Sequence, residues 1–341
     1  MTAISAGKLL GLRRLADAGG RFAMLAIDQR RPIMRRLERV GGEARDEEVS
    51  AVKRLLAEEL APLATATLAD PIWALPFVWD VLDPARGLIL TLESHAFEET
   101  SGGRITHPIE RWSVAKIKRL GADAVKLQLF YRPDAALDVR EEQKALARVV
   151  GTACRSWDLP FVLALSPYPL PGEPETRTND RRAELVLDSV RTFADEIYSV
   201  DLFAIESPIP PESLPEPGEQ GSGRAAGLFA DLDFRAARPW VMLSAGASPG
   251  AFGRVLSYAY AAGASGFRAG RAIWWEAFAQ WPDREAMRAR LRAEAIPCWR
   301  ELLSATEARA RPWWRHPRFG TDGPLLAGAG HDFPAEYAEP G

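Results

Sequence analysis

Ala124-Val125-Lys126-Leu127-Gln128-Leu129-Phe130 is an apolar run interrupted only by two polar side chains, placed two residues apart. In an extended strand that spacing puts Lys126 and Gln128 on the same face. Such a face can point outward to water. In a parallel barrel, however, helices cover the outside of every strand, and a polar pair inside an otherwise apolar run then faces the lumen. Similar short runs bounded by turn residues recur at 22–28, 67–73, 87–93, 161–167, 202–208, 240–246 and 266–272. With 124–130 they make eight. Stretches of three-to-four residue periodicity at 46–59, 140–157, 181–196 and 249–262 lie between several of them. Eight strands alternating with helices predict an α/β fold, a single (β/α)8 TIM barrel. A helix at 7–18 precedes the first strand, and a helical extension runs from 284 to about 308.

A chain of 341 residues accommodates one such barrel with extensions. The expected organisation is a barrel over 1–318 and a flexible C-terminal tail over 319–341, where glycine and proline accumulate. Residues 208–223, rich in proline, glycine and glutamate, predict a mobile loop after the sixth strand. The hydrophobic fraction of 47% and the charged fraction of 26% exclude a disordered chain. A formal net charge of -3, with basic residues spread along the chain, gives no nucleic-acid footprint. No apolar run is long enough to span a membrane and no leader-like succession opens the chain, so a cytoplasmic protein is expected. Cys154 and Cys298 lie far apart in helical stretches, which favours core thiols over a disulfide or thiolate site. The eleven tryptophans, including the pairs Trp274-Trp275 and Trp313-Trp314, offer an apolar contact surface should the chain form a homo-oligomer.

Catalytic groups in TIM barrels sit at the carboxyl ends of the strands. Here those ends are polar: Asp28-Gln29-Arg30, Asp70, Glu93, Lys126 with Gln128, Glu206, Ser244-Ala245-Gly246 and Gly270-Arg271. Any one acid among them can pair with an arginine or cap the next helix. Their convergence on one rim points to a site. A lysine held in such a mouth can attack a ketone as an amine, or act as a cation towards a phosphate or an enolate. Ser244, Gly246, Gly270 and Arg271 have the composition of a barrel phosphate site, which would serve a sulfonate or carboxylate equally well. The four histidines show no paired metal-ligand spacing. A magnesium site made of Asp28, Asp70, Glu93 and Glu206 remains a separate expectation.

Leu25-Ala26-Ile27-Asp28-Gln29-Arg30 resembles the Ala-Phe-Asp-Gln-Arg segment of the tagatose-1,6-bisphosphate aldolase family, a class I family related to the sulfofructose-phosphate aldolases. Further matches follow in order at Leu68-Ala69-Asp70-Pro71, 87–93, Trp112-Ser113-Val114-Ala115-Lys116, Gly121-Ala122-Asp123-Ala124-Val125-Lys126, Leu243-Ser244-Ala245-Gly246 and Gly270-Arg271-Ala272. The resemblance implies that Asp28, Gln29 and Arg30 belong to the active site, with Lys126 as its strand-four lysine. It also implies that Glu206 is its strand-six acid, and that Ser244, Gly246, Gly270 and Arg271 bind phosphate. Two positions depart from the family. Its Schiff-base lysine falls at Ala204, and its strand-five glutamate at about Leu163. Neither side chain can form an imine or move a proton.

Three functions follow. The first is an aldolase-like lyase or transaldolase acting on a phosphorylated or similarly anionic ketose without a cofactor. Lys126 would form the imine, Asp28 or Glu206 would move protons, and Gln29, Arg30, Asp70, Glu93 and Gln128 would join the anion site in holding substrate. Transaldolases resemble this arrangement, since their Schiff-base lysine lies on strand four. The second is a metal-assisted isomerase, epimerase or lyase that binds a divalent ion through the mouth carboxylates. The third is a catalytically inactive sugar-phosphate-binding regulatory paralogue.

Overall fold

The computed structural model describes residues 3–41 and 43–337; the remainder of the expected tail, 338–341, lies outside them. Eight parallel strands close into a barrel. We label them β1 (Phe22–Ala26), β2 (Ala66–Ala69), β3 (Gly87–Thr91), β4 (Ala124–Phe130), β5 (Phe161–Ser166), β6 (Leu202–Ile205), β7 (Trp240–Leu243) and β8 (Gly266–Ala269). β1 pairs with β2 and with β8, and β6 pairs with β7, so the ring has no free edge.

Every expected run contains its strand or nearly all of it, but most observed strands stop two to four residues earlier. The residues that follow, such as Asp28 and Glu206, leave the ladder to present side chains at the rim. Helices Asp46–Leu60, Leu137–Ser156, Arg182–Phe193 and Pro249–Ala262 cover the outside, as their apolar spacing predicts. The C-terminal helical region is three joined segments, Arg284–Arg290, Leu291–Ala295 and Ile296–Arg309.

Alternation along the strands divides the core in two. Leu25, Val125, Leu127, Leu163, Phe203 and Phe267 face the helical shell. Met24, Leu68, Ile89, Val162, Ala164, Leu202, Ala204 and Val241 fill the lumen, joined by Leu12 and Leu15 from helix Ala6–Leu15 and by Trp313 and Phe319. The terminal segments therefore plug the amino end of the barrel with apolar side chains, and the carboxyl end carries the charge.

Three further features refine the expectations. A hairpin of Glu93–Thr100 and Gly103–Pro108 rises from β3 over the mouth, and nothing in the run pattern predicts it. The loop after β6 is tied to helix Pro249–Ala262 by Tyr258, whose hydroxyl donates to the Pro215 carbonyl at 3.1 Å, and by the Arg254–Glu216 pair at 2.7 Å. In the tail, Leu325–Leu326 lies parallel to Ala3–Ile4. Trp274 and Trp313 are buried in the core, so the tryptophan pairs do not form the apolar surface expected of them. Cys154 is buried and Cys298 half-buried, and both are free thiols.

Candidate active site

β4 carries Lys126 into the lumen, where the side chain is 3% exposed. Its Nζ donates to Asp28 Oδ2 at 2.9 Å and to Glu93 Oε1 at 2.5 Å. Glu93 is held on both oxygens, because Oε2 accepts from the Gln128 backbone N–H at 3.0 Å. The Arg30 guanidinium adds a fork on Glu93, donating to its carbonyl at 2.8 Å and to Oε1 at 3.2 Å. Two cations thus meet two carboxylates in a buried network, the condition under which buried charge is tolerated. Burial alone would raise the Asp28 carboxyl. Lys126, Arg268 and Arg30 outweigh it and hold that carboxyl well below the ordinary range.

Glu206 stands across the mouth at the end of β6. It pairs with Arg182 and accepts from the Ser166 hydroxyl. Ser166 in turn accepts from Gln128 Nε2 at 3.0 Å, so the strand-four amide and the strand-six acid share one relay. The cavity bounded by these groups has a volume of about 550 Å³. Every expected site residue lines it except Asp70.

Asp70 is fully buried away from the mouth. It pairs with the equally buried Lys53, and its other oxygen accepts from Ile72 and Trp73 N–H groups at 3.0 and 2.7 Å. Lys53 also donates to the Ile27 carbonyl at 2.7 Å. This pair fastens helix Asp46–Leu60 to the ends of β1 and β2, which gives Asp70 a structural role in place of the substrate-binding one expected. The proposed magnesium set loses a member thereby, and Asp28, Glu93 and Glu206 are each held by a cation. Among the described residues no cluster of His, Cys, Asp and Glu could hold a metal ion.

At the β7 end, Ala245 and Gly246 both have positive φ, 49° and 86°. Alanine in that region is strained, a state that tends to be kept at functional sites. Among the described residues the Ala245 and Gly246 N–H groups have no backbone partner, so they are available to an anion. Arg271 packs beside Gly246: a β-carbon there would lie 3.4 Å from its guanidinium carbon. Gly270 is required by crowding, since a β-carbon would come within 2.7 Å of the Ala26 carbonyl and of Gln29 Nε2. Arg271 forms no ion pair among the described residues, and burial lowers its pKa.

Ala204 is a lumen residue on β6, aligned with Ala164 on β5 and Val241 on β7. Leu163 faces the helical shell, so the lumen position at the expected strand-five glutamate is Ala164; a one-residue shift along a strand reverses the face. Neither position offers an acid. The structure also brings in groups that strand ends did not reveal. Arg268 reaches the cavity from within β8, and Ser166 from the end of β5. Arg104 and Phe97 enter on the hairpin, the guanidinium 4.4 Å from the ring centroid. Arg268 breaks an apolar run just as Lys126 does, so alternation could have found it; the hairpin residues carry no such signal.

A family model described as DeoC/LacD family aldolase matches residues 22–276, from the start of β1 to just beyond β8. This chain belongs to the DeoC/LacD family of aldolases. It is 30% identical over 318 residues to tagatose 1,6-diphosphate aldolase 1 of Streptococcus mutans serotype c, covering 89% of this chain and 96% of that relative. It is 32% identical over 278 residues to the tagatose 1,6-diphosphate aldolase of Streptococcus agalactiae serotype V, covering 77% and 83%. In fold it resembles the fructose-bisphosphate aldolase of Plasmodium falciparum, with TM-score 0.63 and 12% identity over 91% of this chain and 98% of that one. An archaeal fructose-1,6-bisphosphate aldolase gives TM-score 0.54 and 19% identity over 88% and 99%. The activity of this family member is that of an aldehyde-lyase, breaking or forming a carbon–carbon bond.

Proposed function

We propose that this aldolase works through Lys126 as the imine-forming amine, on a ketose carrying a phosphate or similar anion, and needs no cofactor. The observation that carries this reading is the clamp on Lys126. A carboxylate stands within hydrogen-bond reach on either side, Asp28 at 2.9 Å and Glu93 at 2.5 Å. An amine becomes a nucleophile only once it gives up its proton, and each neighbour is a base placed to accept it. Lys126 is the lysine that lines the cavity.

In this scheme the free amine adds to the ketose carbonyl, and loss of water gives a protonated imine. The hydroxyl proton on the acceptor side passes to a carboxylate as the carbon–carbon bond breaks, and its electron pair moves to the imine nitrogen. Protonation of the enamine and addition of water release the donor fragment and restore Lys126. Asp28, kept ionised by the surrounding cations, and Glu93, the nearer of the two, are both bases within reach of the amine. Glu206 faces the opposite wall through Ser166 and suits the acceptor hydroxyl. Arg271, with the Ala245–Gly246 turn, would take the phosphate. The names of the curated relatives favour a sugar phosphate. Two free thiols fit a cytoplasmic setting.

Trapping tests the reading. Wild-type protein treated with borohydride and a candidate ketose phosphate gains the mass of a reduced adduct, and Lys126→Met does not. An adduct that survives this substitution overturns the role given to Lys126.

A further inference from the structure

Arg268 is a lumen cation to which the scheme above gives no contact with substrate. It lies in the middle of β8, opposite Leu243 on β7 and Met24 on β1, on the inward face of an otherwise apolar strand. It is 8% exposed and borders the mouth cavity. A guanidinium carries five N–H donors in a planar fork. Among the described residues none of them is paired: Nη1 is buried without a hydrogen-bond partner, and no carboxylate lies within salt-bridge distance. Asp28, Glu93 and Glu206 act on Arg268 only from a distance, two of them already bonded to Lys126 and the third to Arg182. Burying an arginine without a partner is costly, and the cost is recovered when an anion enters the fork.

We propose that Arg268 binds a carboxylate of the substrate inside the lumen, next to the carbonyl that Lys126 attacks, so that the ketose is a 2-oxo-3-deoxy sugar acid. Arg271 at the rim is left for a second anion, such as a phosphate at the far end of the chain. The lumen layout supports the adjacency. Asp28 follows β1 and is bonded to Lys126, Arg268 stands on β8, the strand paired with β1, and all three line the same cavity. A planar carboxylate matches the fork in two parallel hydrogen bonds. The proposal rests on the Lys126 reading for its chemistry, which is unchanged and balanced as written: cleavage between C3 and C4 would release pyruvate as the donor fragment.

The test offers pyruvate and dihydroxyacetone phosphate, each with borohydride, to wild-type protein, Arg268→Met and Arg268→Lys. Adducts are read by intact mass, and pyruvate binding is read separately by thermal shift without reductant. Wild-type protein is expected to trap pyruvate and to be stabilised by it. Arg268→Met should lower both by about tenfold or more, and Arg268→Lys, which keeps the charge but not the fork, by a smaller factor. Trapping of dihydroxyacetone phosphate should fall by a clearly smaller factor than pyruvate trapping in either variant, because the effect of Arg268 on Asp28 is common to both compounds and the fork on the carboxylate is not; the melting temperature of each variant without ligand shows that it folds. If wild-type protein traps dihydroxyacetone phosphate but neither traps nor binds pyruvate, the carboxylate site is overturned while Lys126 stands. Pyruvate trapping or binding that is unchanged in both variants also overturns it. If wild-type protein traps neither compound, the imine reading fails, and an Arg268-dependent pyruvate thermal shift still supports the carboxylate site while its absence overturns it.

Discussion

Two lysines in this barrel are bound to acids at strand ends, and their surroundings separate chemistry from architecture. Lys53 comes from a covering helix and is fully sealed, with Asp70 and the Ile27 carbonyl as its partners. One cation meets one carboxylate, and the second Asp70 oxygen is used up by the following turn. Nothing in that arrangement has reason to move. Lys126 comes from a strand and borders a cavity, and it is shared by two carboxylates that can exchange a proton with it. The contrast teaches that burial and pairing do not distinguish a structural lysine from a reactive one; an adjacent cavity and a surplus of acceptors do.

The largest expected effect is on the mouth. Lys126→Met should reduce turnover by roughly 10⁴-fold while the melting temperature moves by only a few degrees, because the cavity can take up water around the freed carboxylates. Steady-state kinetics beside a thermal melt check both halves, and loss of fold with loss of turnover would erase the distinction from Lys53. Lys53→Met should do the reverse, lowering stability by about 3–5 kcal/mol because an uncompensated carboxylate is left in the wall. Adding Asp70→Asn, which keeps the turn acceptor, should recover roughly half of that loss in denaturant titrations. Residual turnover per folded molecule should stay near wild type; a severe drop in kcat would move Lys53 into the mechanism.

A smaller effect is expected for Asp28→Asn, a fall in kcat of about 10²-fold with stability little changed, since the amide keeps an acceptor for Lys126 but cannot take its proton. Full activity in this variant would give the base role to Glu93. The smallest effect lies away from both lysines. Burial, reinforced by Arg311, Arg318 and Arg238, pushes the His316 imidazole from 6.5 down to about 3. A base that binds its proton less readily in the folded state makes the protein lose stability as pH falls below 6.5 towards 3, by at most about 1.4 kcal/mol per pH unit. Between those limits stability should fall more steeply in wild type than in His316→Asn, as followed by urea titration. Equal slopes would show that His316 is already charged in the folded protein.

The barrel was legible because its determinants are local. Each strand is a short apolar run, each helix has its own period, and a charged residue within a covered strand has one place to go. That logic placed Lys126 in the lumen, and through the strand ends it brought Asp28, Glu93, Glu206, Ser244, Gly246, Gly270 and Arg271 to one cavity. It failed where a second partner decides the role. Asp70 reads like Asp28 in sequence, and only the reach of Lys53 from a helix in another part of the chain makes it structural. It also failed at half-periods: Leu163 and Ala164 are adjacent in sequence, yet they face the shell and the lumen, and strand pairing alone decides which. The hairpin that brings Arg104 over the mouth is polar along much of its length and carries no run of its own. Arg268 is within reach of the same alternation argument, since it interrupts an apolar run inside the eighth strand instead of standing at its end.

What Lys126 does when substrate arrives decides whether it is the reactive amine. A crystal soaked with a ketose phosphate and frozen during turnover tests this most directly. The account predicts continuous density from Lys126 Nζ to the substrate carbonyl carbon, with the amine drawn away from at least one of Asp28 and Glu93. A substrate fully bound at Arg271, with Lys126 still bonded to both carboxylates and no covalent link, would contradict it.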